Sequence, residues 1–311
     1  MSGVTRVAVV GLGKIAQDQH LPAIAGSRQF ELVAAASPAG VARGVPVFED
    51  VEQLLASPIR IDALALCQPP QFRFAAAARA LRAGKHVLLE KPPGATCLEV
   101  EALERLAAEA RTTLFSAWHS RFAPAVRPAC AWLATRHIRS IEIQWQEDVR
   151  QWHPGQEWIW QPGGLGVFDP GINALSILTR LVSEPLLVQG GTLEVPGNRA
   201  VPIGAQLQMA TLSGIPVSAT FDWRQRGAPR WDITVLTDEA TLRLSAGGAT
   251  LHIADRPIEV PATDEYPAVY EHFAALLAQG ASDVDALPLR LVADAFMICS
   301  QRPVAPFYED S

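Results

Sequence analysis

The 311-residue sequence predicts an α/β domain on a doubly wound parallel sheet, followed by an α+β domain with a large, mostly antiparallel open sheet. Three observations carry that prediction. Over roughly the first 120 residues, short apolar runs alternate with amphipathic stretches, the texture of a parallel sheet covered on both faces. Beyond that point the pattern turns to alternating strands separated by turn residues, as in a sheet of hairpins. The length also exceeds that of one ordinary domain of about 100–200 residues. The change of texture places the boundary between residues 1–121 and 122–311, with the last helix expected to pack back near the first domain.

The strands of the first half are read at Val7–Val10, Phe30–Ala36, Ile61–Cys67, His86–Glu90 and Thr113–Trp118. Helices are read at Val51–Ala56, at Gln71–Ala83 with its alanine-rich FAAAARALRAG, and at Cys97–Arg111. Thr96 and Glu99 form a capping box, in which each side chain satisfies a backbone donor of the first turn. Gly84 suits the left-handed position that closes a helix. The second half opens with a helix near Ala125–Thr135, then strands at Ser140–Asp148, Leu186–Val195, Gln206–Leu212 and Val217–Trp223. Ser213-Gly214, Asp238 and Gly247-Gly248 are turn signals, and helices at Tyr266–Gln279 and Leu287–Ser300 close the chain.

Composition narrows the function classes. Acidic residues outnumber basic ones, 32 to 26, and no basic run stands out, so neither nucleic acid nor an anionic membrane is the expected partner. Cys67, Cys97, Cys130 and Cys299 are scattered, without CxxC spacing or a Cys/His cluster, which points to reduced thiols rather than disulfides or zinc. No secretory signal is visible, and no apolar run reaches the roughly 18–20 residues that span a bilayer. A cytoplasmic location is expected.

VAVVGLGKIA places Gly11, Gly13 and Ala16 directly after the first strand. One glycine permits the tight turn, the next lets backbone amides approach a pyrophosphate, and the third small residue lets the following helix pack closely with its N-terminus toward the phosphates. At the head of an alternating strand–helix domain this pattern indicates a Rossmann dinucleotide site. The second strand should end near the adenosine ribose, where NAD enzymes carry an acidic residue. Ser37 stands there instead, Glu31 sits at the wrong end of the strand, and Arg43 is the nearest cation. NAD and NADP both remain open as cofactors.

HVLLEKPP at His86–Pro93, together with GLGKIA and the later GGLGVFDPGIN, resembles the glucose–fructose oxidoreductase, inositol dehydrogenase and rhizopine catabolism (Gfo/Idh/MocA) family over the whole chain. DQHLPAI, WHSR and WHPGQ.WIW are similar to its aldose 1-dehydrogenase branch, whose sugars are L-arabinose and D-galactose. The resemblance implies oxidation of the anomeric carbon of such a sugar, or of D-fucose, to its lactone. It implies that Lys91 reaches the reacting carbon and that Asp169 is the family carboxylate in the helix after the GGLG turn. Asn173 stands where the broader family carries histidine, so a histidine acid–base role is not carried over. The expected dinucleotide set is Gly11, Gly13, Lys14, Ile15, Ser37, Gln68, Pro69, Glu90 and Lys91. A homodimer is the family expectation, and another oxidoreductase of this family or a non-catalytic dinucleotide-binding regulator are the competing readings.

Oxidising a cyclic hemiacetal removes a hydride from carbon and a proton from the attached hydroxyl, which needs a base within hydrogen-bond reach. Asp169 is the first candidate, although Asp169-Pro170 also makes a good helix start that would only cap. Lys91 carries a charge that stabilises a developing alkoxide, and the two could exchange roles. Pro92-Pro93 fixes a rigid turn at the carboxyl edge of the sheet, where such folds bind ligands. Asn173, one turn after Asp169, offers an amide on the same helix side. Trp145, Trp152, Trp158 and Trp160 crowd one segment; Trp145 and Trp158 are expected in the core. Flat rings beside polar groups suit a sugar, so Glu147, Trp152, His153, His119 and Trp231 complete the expected substrate set. His153 and Glu157 have ligand-like spacing but lack a third ligand, and no metal site is expected.

Overall fold

The computed structural model describes residues 3–38 and 40–309. The elements begin with β1 (Thr5–Val10), a π-helical turn at Ala16–His20, α1 (Leu21–Gly26), β2 (Phe30–Ala36) and β3 (Val47–Phe48). Next come α2 (Val51–Ala56), β4 (Ala63–Leu66), α3 (Pro70–Arg82), β5 (His86–Glu90), α4 (Cys97–Ala110) and β6 (Leu114–Ala117). The chain continues with α5 (Val126–Leu133), β7 (Ile138–Gln146), α6 (Val149–Trp152), α7 (Phe168–Leu181), β8 (Leu186–Pro196), β9 (Gly204–Thr211) and β10 (Pro216–Asp222). It closes with β11 (Arg230–Thr237), β12 (Thr241–Ser245), β13 (Thr250–Ile253), β14 (Arg256–Ile258), α8 (Glu265–Gln279), α9 (Leu287–Ile298) and β15 (Ser300–Val304).

Two compact units result. One takes the described residues up to His119 together with Asp264–Ala286; the other takes Ser120–Thr263 with the described residues from Leu287 onward. The sequence pattern assigns Asp264–Ala286 to the second domain. The structure groups it with the first, because Tyr270 and Phe273 of α8 pack on Phe30 of β2 and Asp283 bridges to Phe115 of β6. These contacts join residues more than 150 positions apart, which no local pattern announces. The last helix, α9, belongs to the second unit.

In the first unit six parallel strands stand in the order β3-β2-β1-β4-β5-β6. The chain winds outward from β1 one way and from β4 the other, so β1 and β4 flank the switch point where open α/β sheets bind ligands. Val7–Val10 of β1 and the whole of β4 are continuous apolar runs no more than 2% exposed, as a sheet covered on both faces requires. Helix ends follow the capping logic. Asp50 caps α2 through Gln53 N–H (2.8 Å), the Thr96–Glu99 box closes α4 from both sides, and Gly84 takes its left-handed conformation after α3.

In the second unit nine strands run β14-β13-β12-β11-β7-β10-β9-β8-β15, antiparallel except for the β7–β10 and β8–β15 pairs. The turn signals at Asp238 and Gly247-Gly248 separate β11, β12 and β13. Helix α7 is almost wholly buried, only Asn173, Thr179 and Arg180 reaching the surface, and packs against α5 and α9. The final helix stops at Ile298 rather than Ser300, because Ser300 opens β15 beside β8. Trp145 lies in the core at 5% exposure, but Trp158 is only half-buried and Trp160 fills the core at 3%. Trp160 packs edge-on against Trp223, with centroids 5.1 Å apart, and takes the place expected for Trp158.

Candidate active site

In the first unit the expected dinucleotide residues follow the carboxyl ends of β1, β2, β4 and β5 or, for Glu90, end β5 itself. Gly11 has φ +88°, and a Cβ there would stand 2.8 Å from the Gln68 backbone nitrogen, so the β1 and β4 turns touch. A Cβ on Gly13, by contrast, would meet no atom within 4 Å. That open surface on a glycine turn is the cradle a pyrophosphate needs. Lys14 is exposed and pairs with Asp18, while Ile15 is half-buried. Ser37 follows β2 directly, its N–H donating to Phe48 O at 2.8 Å. Gln68 Oε1 is buried without a hydrogen bond, and Pro69 is the N-cap of α3.

Lys91 follows β5 through a cis bond to Pro92. Its backbone N–H donates to Glu90 Oε2 at 2.8 Å. The other Glu90 oxygen accepts from Tyr266 O–H at 2.6 Å and lies 2.9 Å from His20 Nε2. His20 Nδ1 is 2.9 Å from the Tyr270 hydroxyl. Glu90, expected to touch the dinucleotide, is 2% exposed and has both oxygens engaged within the unit. Burial works against its charge, yet the His20 hydrogen bond and the charges of His20 and His119 bring its pKa down to about 2. For His20, burial lowers the pKa, but neighbouring Cys67 and Tyr270 and the Glu90 hydrogen bond leave it well above the usual histidine value. The two therefore stand as a buried ion pair. Burial and the Glu90 charge push Tyr266 well above the usual tyrosine range.

Arg73, 2% exposed, points its guanidinium at the carbonyls of Gln68, Glu90 and Pro92, tying the β4 and β5 turns together. His119 stacks on Tyr266 with centroids 5.5 Å apart and bonds the Glu265 carboxylate. His20, Arg73, Tyr266 and Tyr270 stand outside the set expected from the sequence. His20 lies in the DQHLPAI segment, but Arg73 reads as an ordinary helix cation and the tyrosines as core.

In the second unit Glu147, Trp152, His153, Asp169 and Trp231 converge. Glu147 follows β7, is 4% exposed, and accepts the Trp231 indole N–H through Oε2 at 2.9 Å. Its Oε1 makes no hydrogen bond and lies 3.5 Å from His153 Nε2. The same ring nitrogen lies 3.8 Å from Asp169 Oδ2. Asp169 sits in the first turn of α7, 3% exposed. That turn is set by Gly166, at φ +55°, where a Cβ would stand 2.3 Å from Pro202 O. Trp231 pairs across strands with Trp145 and lies 5.1 Å from the ring of Trp152, which is 37% exposed. Asn173 is half-exposed one turn along α7. Glu157 turns away to pair with Arg199 at 3.0 Å, and among the described residues no three potential ligands are arranged around a metal position. A buried carboxylate pair bridged by an imidazole and walled by indoles supplies hydroxyl acceptors, a proton acceptor and a flat apolar surface together.

A family model described as an oxidoreductase family with an NAD-binding Rossmann fold matches residues 5–117. A galactose 1-dehydrogenase from Pseudomonas fluorescens is 48% identical over 305 residues, covering 98% of this chain and 99% of its own. The crystal structure of a D-galactose-1-dehydrogenase from Rhizobium etli superposes with TM-score 0.95 at 51% identity, covering 99% of both chains. A 3-ketoreductase from Actinomadura kijaniata, solved with NADP and TDP-benzene, shares the fold at TM-score 0.84 and 22% identity, covering 97% of this chain and 99% of its own.

Proposed function

The chain belongs to the oxidoreductase family with an NAD-binding Rossmann fold, and on that premise we propose that it is an NAD(P)-dependent aldose 1-dehydrogenase. In this reading it oxidises the anomeric carbon of D-galactose, L-arabinose or D-fucose to the lactone. The observation that carries it is the convergence of Glu147, His153 and Asp169 beside Trp152 and Trp231. The galactose 1-dehydrogenase relatives support the choice of sugar. The three sugars share their arrangement at carbons 2, 3 and 4, so a pocket reading those hydroxyls accepts all of them. Discrimination then rests on one contact worth about 1–3 kcal/mol.

The turns after β1, β4 and β5 fit a dinucleotide. Gly11 and Gly13 would cradle its pyrophosphate, Ser37 its ribose, and Gln68 Oε1 would gain a partner. The absence of an acidic residue in the SPAGVARG stretch after β2 supports use of both NAD and NADP. The dinucleotide supplies, when bound, the acceptor for the hydride leaving the anomeric carbon. Asp169 Oδ takes the proton from the anomeric hydroxyl. The Lys91 ammonium offsets negative charge developing on that oxygen. Glu147, His153 and Asn173 hold sugar hydroxyls, and Trp152 and Trp231 face the apolar side of the ring. A cytoplasmic homodimer completes the reading.

Among the described residues, no helix is long and apolar enough to cross a membrane. The direct test is reduced-cofactor absorbance with D-galactose, L-arabinose, D-fucose, D-glucose and D-xylose, each with NAD and with NADP. Turnover confined to the first three sugars is expected. Silence across the panel with a dinucleotide demonstrably bound would move the assignment to another substrate or to a regulator.

A further inference from the structure

The buried polar cluster behind β5 is larger than a turn needs. Glu90 sits between a ring, a phenol and the backbone of the next residue. Its Oε1 receives the Tyr266 O–H (2.6 Å) and the His20 Nε2–H (2.9 Å), and its Oε2 receives the Lys91 N–H (2.8 Å). His20 is in turn fixed by Tyr270, and His20 and Tyr266 meet edge-on with centroids 4.9 Å apart. All four side chains belong to one unit and are 3% exposed or less. Burying a charged pair is costly, and a well-packed apolar cluster of the same volume is often as stable. A carboxylate with both oxygens engaged fixes the geometry of what it holds. What Glu90 holds on its remaining side is the backbone of Lys91.

We propose that His20 and Tyr266 are positioning residues for Lys91, acting through the Glu90 carboxylate. The inference rests on the reading that Lys91 faces the reacting oxygen. The cluster anchors the Lys91 backbone from behind, so that the ammonium is carried on a fixed stem. A small misplacement of a charge at a reacting centre costs up to about 10²-fold in rate without weakening substrate binding.

The sequence makes a direct test simple, because it holds only three lysines, Lys14, Lys85 and Lys91. With 15N-lysine labelling, NMR shows one backbone amide for each, and Lys14 and Lys85 serve as internal controls. In Tyr266→Phe and His20→Gln the Lys91 amide should shift and exchange with solvent at least tenfold faster, while the two controls stay in place. Turnover of D-galactose should fall about tenfold in Tyr266→Phe, with KM for sugar and Kd for the dinucleotide within twofold. His20→Gln keeps one N–H toward Glu90 and should retain more turnover than His20→Ala. In a Lys91→Ala background, Tyr266→Phe should cause no further loss.

Unchanged exchange at Lys91 in both variants overturns the proposal. So do losses that multiply in the double variant, because the cluster then acts elsewhere. A Lys91→Ala enzyme with normal turnover would instead remove Lys91 from the chemistry, and amide exchange would still decide whether the cluster holds its backbone.

Discussion

Trp231 donates its indole N–H to Glu147 Oε2 across 2.9 Å, leaving the other carboxylate oxygen buried, without a hydrogen bond and 3.5 Å from His153. The pair is brought together by strand register, since Trp231, the second residue of β11, lies directly opposite Trp145, two residues before Glu147. A carboxylate fixed through one oxygen presents the other in a defined direction. Trp231→Phe keeps an aromatic wall and removes only the donor. Losing a hydrogen bond to a charged group, worth about 1.5–3 kcal/mol, should raise KM for the sugar roughly ten- to a hundredfold. Steady-state kinetics at saturating dinucleotide should show kcat changing much less. An unchanged KM would mean that Glu147 does not read a sugar hydroxyl.

Asp169→Asn replaces an acceptor of protons by an amide of the same shape. Loss of a positioned base should lower kcat by about 10²–10⁴-fold while the dinucleotide binds as before. The fold should tolerate the change, because the α7 turn is set by Gly166 and Pro202 rather than by the carboxylate. Turnover within tenfold of the parent would assign the proton to another group.

Much of this architecture is legible in the sequence because it is local. Phe30–Ala36, Val51–Ala56 and His86–Glu90 have the same bounds in the pattern and in the structure, since apolar runs framed by turn residues leave little choice. The glycine turn is legible for the same reason, as φ and close approach restrict Gly11, while Asp169 is legible through the Asp169-Pro170 helix start and the family resemblance. The cluster behind Lys91 is not. His20, Glu90 and Tyr266 are separated by 70 and 176 positions; Glu90 reads as a dinucleotide contact, and His20 and Tyr266 carry no local signal of a shared cluster. The pairing of α8 with β2 is hidden in the same way. Trp158 and Trp160 lie two positions apart in a short 3-10 turn, where neither helical nor strand period tells which one points inward.

Arg73 gives a prediction about stability. Its planar guanidinium reaches three carbonyls, at Gln68, Glu90 and Pro92, from one buried position. Arg73→Met should strand those acceptors at a cost of about 1–3 kcal/mol each, with partial relief where the turns relax toward water. Arg73→Lys should recover little, because a point charge on a flexible stem cannot satisfy a three-way fork. Denaturant melts should place both variants well below the parent, and dinucleotide affinity should fall with them because the Gln68 and Lys91 turns loosen together. A melt for Arg73→Lys that matches the parent would show that charge alone suffices.

The Glu90–His20 pair sets an acid limb. Glu90 titrates near 2 in the folded protein against an ordinary 4.5, burial opposing the shift and the His20 hydrogen bond and the His20 and His119 charges producing it. A depressed carboxyl contributes stability that is present above about pH 4.5 and is lost as pH falls toward 2. His20, raised above 6.5, contributes in the opposite sense: its share is complete below 6.5 and lost only as pH rises through its folded value. Glu90→Gln should therefore cost about 3–5 kcal/mol near neutrality, the penalty for leaving one buried charge unpaired. Chemical denaturation at several pH values should show the gap between parent and variant narrowing from pH 4.5 downward. A gap constant over that range would mean that the folded protein does not hold Glu90 ionised.

The two glycines of the phosphate turn should fail in different ways, and the difference separates folding from binding. Gly11 is required by the protein itself: its φ is +88°, and a Cβ would press against the Gln68 backbone at 2.8 Å. Gly11→Ala should thus lower the melting temperature and loosen the β1–β4 contact whether or not a ligand is added. Gly13 meets no protein atom where its Cβ would stand, so Gly13→Ala should melt like the parent. The methyl group would instead occupy space needed by the pyrophosphate, and added NAD or NADP should raise the melting temperature of the parent but not of Gly13→Ala. Titration of dinucleotide against both folded variants, followed by quenching of tryptophan fluorescence, checks the affinities directly. A Gly13→Ala protein that binds as tightly as the parent would move the pyrophosphate away from this turn, and the assignment of Gly13, Lys14 and Ile15 to the cofactor would go with it.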